Sequence, residues 1–253
     1  MRKIKNMNKD QDNFSQKYQQ MFDVGVRIKK SKKTLAILND FLNTTNNLDL
    51  LDLGCSTGIM TDQYSKQFRK TLGIDIDMSA IDYAKKNYEN KNLTFQNCSY
   101  DDLTLSNKKF DVVICSHVYE HVDNPDDLFD KIYNLLKKGG ICYLVAGNRH
   151  KIIEPHFKLP FLSYLPRKLG NLYVKIAKKD GQYYQKHLSL RKLKKLVYKF
   201  KIHDYTIKTI KFPIEFSSDD LVKDKSIKQK VYLFFSKIFY FLIPTYIWIL
   251  EKN

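Results

Sequence analysis

With 253 residues, 43% of them hydrophobic, the chain holds enough apolar material for one full-sized core, which excludes an intrinsically disordered protein. Four cysteines, Cys55, Cys98, Cys115 and Cys142, are scattered without metal-ligand spacing, which argues against a disulfide scaffold or a cysteine zinc site and fits reduced core thiols. The formal charge of +17 is unevenly placed: residues 1–148 carry 21 Lys and Arg against 19 Asp and Glu, whereas residues 149–253 carry 23 against 8.

Residues 1–47 are predicted as an N-terminal helical cap, because FSQKYQQMF and KKSKKTLAILNDFLN space their apolar residues at the helical period. The charged opening MRKIKNMNKDQDNFSQ has no apolar run behind it, so no secretory signal is expected. Strands follow at 48–53, 71–76, 93–97, 110–116 and 141–147, separated by the helical patterns TDQYSKQF, SAIDYAKKNYE and PDDLFDKIYNLLKK. Near-continuous apolar strands alternating with helices predict an α/β fold, a doubly wound, mostly parallel sheet with helices on both faces. LKKGG supplies a helix end with a glycine cap just beyond it. The rhythm breaks after Gly147. Residues 149–186 form a Pro- and aromatic-rich insert on the acceptor side of the 48–210 domain, followed by a basic helix LSLRKLKKLVYKF and a strand IHDYTIKTI. Residues 211–253 read as a basic linker and an apolar C-terminal helix.

The stretch LDLLDLGCSTGIMTDQY joins the first strand to the next helix through a glycine loop, a place where nucleosides and phosphates are held. No Lys-Ser/Thr pair follows Gly58, so a nucleoside triphosphate loop is excluded. A dinucleotide loop needs a third glycine, and Asp52 just before Gly54 would repel a pyrophosphate while suiting a cationic ligand group. Asp75 ends the next strand, where a carboxylate grips a ribose diol. A ligand with a ribose, no pyrophosphate and a cationic end fits S-adenosyl-L-methionine.

LDLGCSTG, GIDID and FDVVICSHVYEHV with LLKKGG resemble, in order and spacing, the motifs of class I S-adenosylmethionine-dependent methyltransferases, in the branch related to ubiquinone- and menaquinone-pathway enzymes. The resemblance covers about residues 45–148 and implies a Rossmann-like fold and a transferase activity. It implies that Asp52, Gly54 and Gly58 cradle the methionine part, that Asp75 binds the ribose with Ile76 beside the adenine, that Ser99 and Tyr100 lie near the adenine, and that Ser116 lies under the sulfonium. Ser56 stands where the family's glycine pattern has its middle glycine, and its β-carbon is expected to narrow the loop.

Methyl transfer from a sulfonium needs in-line positioning, plus a base if the acceptor is a hydroxyl. HVYEH, His117 to His121, matches a bare H-x-x-E-H zinc pattern, but it follows directly on a strand rather than lying on a helix. The resemblance implies instead an E-x-x-E-H arrangement that holds a divalent metal beside the acceptor. Here Glu120 and His121 are kept and His117 replaces the first glutamate, which leaves the metal open. Glu154 and His156 are the polar points of the insert NRHKIIEPHFKLPFLSYLP, and His156 is expected to face the substrate; His187 is a third candidate. His156, His121 and Glu120 are the expected catalytic residues.

The basic half points to an anionic partner, lipid or nucleic acid. Nucleic acid is the weaker reading, because CSHV follows the fourth strand where base-methylating enzymes have Asn/Asp-Pro-Pro-aromatic. Residues 231–250, VYLFFSKIFYFLIPTYIWIL, carry one charge, Lys237, and lysines precede them. A helix of that length reaches about 30 Å, the thickness of a bilayer's hydrocarbon core. The expectation is a cytoplasmic-facing methyltransferase attached to the inner face of a membrane through residues 231–250, O-methylating a lipophilic or lipid-linked acceptor. The alternatives are a small-molecule or RNA enzyme with a buried C-terminal helix, and a catalytically silent adaptor.

Overall fold

The computed structural model describes residues 15, 19–104, 107–154, 157–179, 183 and 186–253; of the expected N-terminal cap, residues 1–14 and 16–18 fall outside these. Helix α1 (Val24–Leu42) begins at Asp23, whose carboxylate accepts the Val26 N–H at 3.0 Å. Strand β1 (Asp49–Leu53), helix α2 (Ile59–Ser65), strand β2 (Lys70–Asp75), helix α3 (Met78–Asn87) and strand β3 (Leu93–Asn97) follow. Next come α4 (Tyr100–Thr104), β4 (Phe110–Ser116), α5 (Pro125–Leu135) and β5 (Leu136–Gly147). The insert holds two short antiparallel strands, β6 (Ile153–Glu154) and β7 (Leu159–Pro160), and helix α6 (Arg167–Ile176). Helix α7 (Leu190–Leu196), strand β8 (Phe200–Asp204), helix α8 (Thr206–Lys211), helix α9 (Ile227–Ile238) and strand β9 (Thr245–Lys252) complete the chain.

The seven-stranded sheet has the order β3-β2-β1-β4-β5-β9-β8. The pairings from β3 to β5 are all parallel, and β9 runs antiparallel to both its neighbours. Alternate residues serve opposite faces. Leu51, Leu53 and Val113 pack with Leu128, Phe129 and Ile132 of α5, while Leu50, Val112 and Ile114 pack with Leu35, Ile37 and Leu38 of α1. Because both faces are covered, the strands tolerate no polar alternation, which is why they read as apolar runs.

Three expectations are corrected. Residues 231–250 are not one helix: α9 stops at Ile238, a single 3-10 turn spans Tyr240–Leu242, and β9 starts after Pro244. Proline has no N–H to continue a helix, and TYIWIL is rich in β-branched and aromatic residues that suit a strand. Tyr246, Trp248 and Leu250 enter one core layer and Ile249 the other. No helix among the described residues is long and apolar enough to cross a membrane. The strand expected over IHDYTIKTI ends at Asp204, whose carboxylate accepts the Thr206 N–H at 2.8 Å and turns the chain into α8. The glycine expected to cap the helix after LLKK lies instead in a bulge at the start of β5, where Gly139 has φ 71° and the register with β4 shifts between Phe110 and Val112.

Trp248, the single tryptophan, is 1% exposed in β9 and stacks on Tyr246 with ring centres 5.5 Å apart. Trp248→Ala should cost about 3–5 kcal/mol in urea unfolding, and the native protein should show blue-shifted tryptophan emission that moves to the red at the same transition.

Candidate active site

The carboxyl ends of β1, β2, β4 and β5 open onto a cavity of about 1040 Å³. One wall is the loop after β1, where Gly54, Ser56 and Gly58 all take left-handed backbone, with φ of 76°, 49° and 75°. A β-carbon at Gly54 would lie 2.7 Å from Val118, and one at Gly58 would lie 2.7 Å from both Ala84 and Phe95. Gly58 is therefore a packing glycine that lets α2 approach the sheet. Ser56 holds its backbone at a cost of about 1–2 kcal/mol, offset by its N–H, which donates to Asp75 Oδ2 at 2.8 Å. Asp75 Oδ1 accepts the Asp77 N–H at 2.9 Å. Burial raises the Asp75 carboxyl above its ordinary pKa against the pull of these two N–H groups.

Asp52 stands behind this wall and does not line the cavity. Thr61 Oγ1 donates to its Oδ2 at 2.6 Å. Burial nevertheless pushes its carboxyl up to about 6, with the Asp75 charge adding to the rise and Arg27 opposing it. Ile76, Ser99 and Tyr100 line the cavity beside Asp75. The Ser99 hydroxyl and N–H both donate to Asp102 Oδ2 at 3.0 Å, so that side chain is committed to the start of α4. Lys131 Nζ stands 5.2 Å from the centre of the Tyr100 ring.

Opposite, β4 ends at Ser116 and the chain turns sharply at His117, whose φ of 57° makes it a second left-handed residue without a glycine. Two such residues on one cavity are the strain expected of a functional site. His117 Nδ1 lies 3.0 Å from Glu120 Oε1. Burial pushes the Glu120 carboxyl up, but the His117 bond and the neighbouring His117, His121 and His187 rings outweigh it and hold the group at about 2. Its other oxygen is buried without a hydrogen-bond partner among the described residues. Tyr119 fixes this corner: its hydroxyl donates to the Gly147 carbonyl at 2.5 Å and accepts the Leu188 N–H at 3.1 Å.

That last bond sets His187 against the cavity. His187 is 9% exposed, and neither ring nitrogen has a hydrogen-bond partner among the described residues. A β-carbon at Gly147 would lie 3.0 Å from His187 Nδ1 and 3.2 Å from Glu120 Oε1, so this glycine makes room for both groups. Burial, helped by Lys151, lowers the His187 pKa to about 3, and burial likewise lowers that of His121. Buried orphan polar atoms facing a cavity are groups that a ligand satisfies.

Of the sequence-predicted residues, Gly54, Ser56, Asp75, Ile76, Ser99, Tyr100, Ser116, Glu120 and His121 line this one cavity. Asp52 and Gly58 stand behind it, and His156 lies outside the described residues. Among the described residues no group of three or more His, Cys, Asp or Glu could hold a metal ion. Arg27 of α1 lines the cavity and is not legible in the sequence, where it is one cation of a helix face; its guanidinium meets the sulfurs of Met21 and Met60 and feels the charge of Asp52.

The fold is that of class I S-adenosylmethionine-dependent methyltransferases. Residues 51–144 match the family model Methyltransf_11, described as a methyltransferase domain. It is similar to ubiquinone biosynthesis O-methyltransferases from Glaesserella parasuis, at 30% identity over 46% of this chain and 52% of the relative, and from Coxiella burnetii, at 29% over 52% and 53%. The chain thus spans about half the length of the curated relatives it matches. Among solved structures, the plantazolicin methyltransferase BpumL in complex with SAH shares the fold, with a TM-score of 0.58 at 21% identity over 95% of this chain and 88% of that one.

The buried His187 makes a pH prediction. Unfolded, the ring takes a proton near its ordinary value of 6.5; folded, it resists one until about 3. Between those values the unfolded state binds the extra proton, so this contribution is complete above 6.5 and is lost as pH falls through the window. Asp52 acts in the opposite sense between 3.8 and about 6. The contrast between wild type and His187→Asn in denaturant unfolding across this range should therefore isolate the histidine, the variant losing less stability on acidification.

Proposed function

We propose that the chain is an S-adenosylmethionine-dependent methyltransferase that O-methylates a lipophilic or lipid-linked small molecule at a membrane surface. The observation that carries this reading is the Asp75 carboxylate, fixed at the rim of the cavity by the N–H groups of Ser56 and Asp77. A carboxylate so held has lone pairs left to accept both hydroxyls of a ribose. Ile76 and Tyr100 offer apolar faces for an adenine, with Ser99 alongside. The Gly54 backbone and Ser116 face the methionine part, the Arg27 guanidinium on the cavity wall meets its carboxylate, and Asp52 supplies negative charge behind its ammonium group. When bound, the sulfonium supplies an activated methyl group.

His187, Glu120 and His121 then stand on the acceptor side, with His156 assigned there on sequence alone. An unpaired, neutral imidazole accepts the acceptor hydroxyl as a hydrogen-bond donor and takes its proton as the carbon–oxygen bond forms. The ionised Glu120 across Gly147 favours the imidazolium that results. The sulfonium is left as the neutral thioether, so charge and atoms balance. Ile153, Tyr232 and Ile243 line the outer cavity, which suits an apolar tail, and the ubiquinone-pathway relatives support an acceptor of that kind. The net charge of +15 over residues 149–253 supports an anionic surface nearby.

Calorimetric titration with S-adenosylhomocysteine tests the cofactor. Micromolar binding is expected, and Asp75→Ala should weaken it by about 1–3 kcal/mol; unchanged affinity in that variant would put the ribose elsewhere. Affinity should also fall as pH drops through about 6, where Asp52 gains its proton and loses the charge that meets the ammonium group. Asp52→Asn should bind more weakly at neutral pH and lose that dependence.

A further inference from the structure

Helix α9 is turned inside out. Its buried side chains are the polar Gln229 and Ser236, while Ile227, Val231, Phe234, Phe235 and Ile238 are exposed, Ile227 at 81% and Phe234 at 61%. The inversion is built in: Gln229 Nε2 donates to the Ile210 and Lys211 carbonyls at 2.9 and 3.2 Å, and its Oε1 accepts the Lys225 N–H at 2.7 Å. Those bonds fix the rotation of the helix by its polar face. At about 100° per residue the five apolar side chains form one stripe, with Lys228 on one flank and Lys230 and Lys237 on the other.

The stripe does not end with the helix. Phe234, Phe235, Phe239, Phe241, His150, Tyr164 and Phe161 follow one another in ring contacts of 5.6, 6.2, 6.4, 6.5, 5.5 and 6.0 Å. This chain joins α9 to the insert, where α6 exposes Leu169, Leu172 and Ile176 beside Arg167, Lys168 and Lys175. Ile153 of the insert and Leu221, whose carbonyl accepts the Lys228 ammonium of α9 at 3.0 Å, are both exposed and also line the cavity. An apolar surface of this extent, at the mouth of a pocket and rimmed by cations, marks an interaction site.

We infer that this surface is an interfacial membrane anchor for bilayers of anionic phospholipid, with α9 lying flat and the cavity mouth turned to the lipid. The inference deepens the proposed function by naming the partner of the same site, and rests on it for the lipophilic acceptor. Length excludes a span: α9 has 12 residues, and a helix of that length reaches about 18 Å against a hydrocarbon core of about 30 Å. Charge selects the occupant. The lysines beside the stripe sit where ammonium groups reach lipid phosphates while their stems stay in the apolar layer. A second copy of the chain packed isologously would set the same lysines against each other.

The test is co-sedimentation with vesicles of phosphatidylcholine alone or mixed with phosphatidylglycerol, alongside calorimetry with S-adenosylhomocysteine. Wild type should sediment with the mixed vesicles and weakly with the neutral ones. Phe234→Ser/Phe235→Ser should lower the partition at least about tenfold, and Lys228→Glu/Lys230→Glu/Lys237→Glu should abolish the preference for anionic lipid. Both variants change exposed side chains and should keep wild-type S-adenosylhomocysteine affinity, so lost cofactor binding in wild type would sink the methyltransferase reading and leave the anchor standing. No partition onto anionic vesicles, or equal partition onto both kinds, overturns the inference. So does self-association in sedimentation velocity that the phenylalanine variant removes, since that would make the surface a dimer face.

Discussion

The Asn148 side chain holds the two halves of this molecule in relation to each other. Wholly buried just past β5, its amide nitrogen lies within hydrogen-bond distance of the Phe241 and Ile243 carbonyls and the Tyr246 hydroxyl, at 2.7, 2.8 and 2.9 Å. Its backbone N–H donates to the Pro244 carbonyl at 2.8 Å, and the same residue bridges to Leu188. The end of a core strand, the segment that carries His187 and the turn between α9 and β9 therefore meet at one residue. A buried amide must find partners, and these are the ones that fix where the chain crosses the mouth of the cavity.

Around that junction the cavity divides by chemistry. The side under β1 and β2 is acidic and backbone-rich, built from a loop whose strained Ser56 is held by Asp75. The side under β4 and β5 is a cluster of imidazoles around one ionised carboxylate, with atoms left unpaired. Gly147 is what allows the second arrangement, because any side chain there would part His187 from Glu120. Strain at Ser56 and His117 and orphan atoms at Glu120 and His187 are all costs to the folded chain, concentrated where a ligand would relieve them.

Much of the sheet is legible in the sequence because strands buried on both faces leave continuous apolar runs, and the acids at the carboxyl ends of β1 and β2 have fixed distances from the glycine loop. The C-terminus misled for the same reason. VYLFFSKIFYFLIPTYIWIL is uniformly apolar, but its first half is apolar toward solvent and its second half toward the core, and composition does not distinguish the two. Pro244 was the available signal for the break. Gly58 looks in the sequence like a ligand glycine, yet its neighbours are Ala84 and Phe95, contacts between distant elements that spacing does not encode. Arg27 was hidden because a helix face of lysines and one arginine has no motif, and only the fold brings it to the cavity.

The position of β9 ties one edge of the sheet together. Among the described residues β8 pairs with no strand but β9, and β9 is also the neighbour of β5. Loss of β9 would therefore free β8 and bare one edge of β5 at once, so this side of the sheet, next to the segment that carries α9, opens and closes as one cooperative unit.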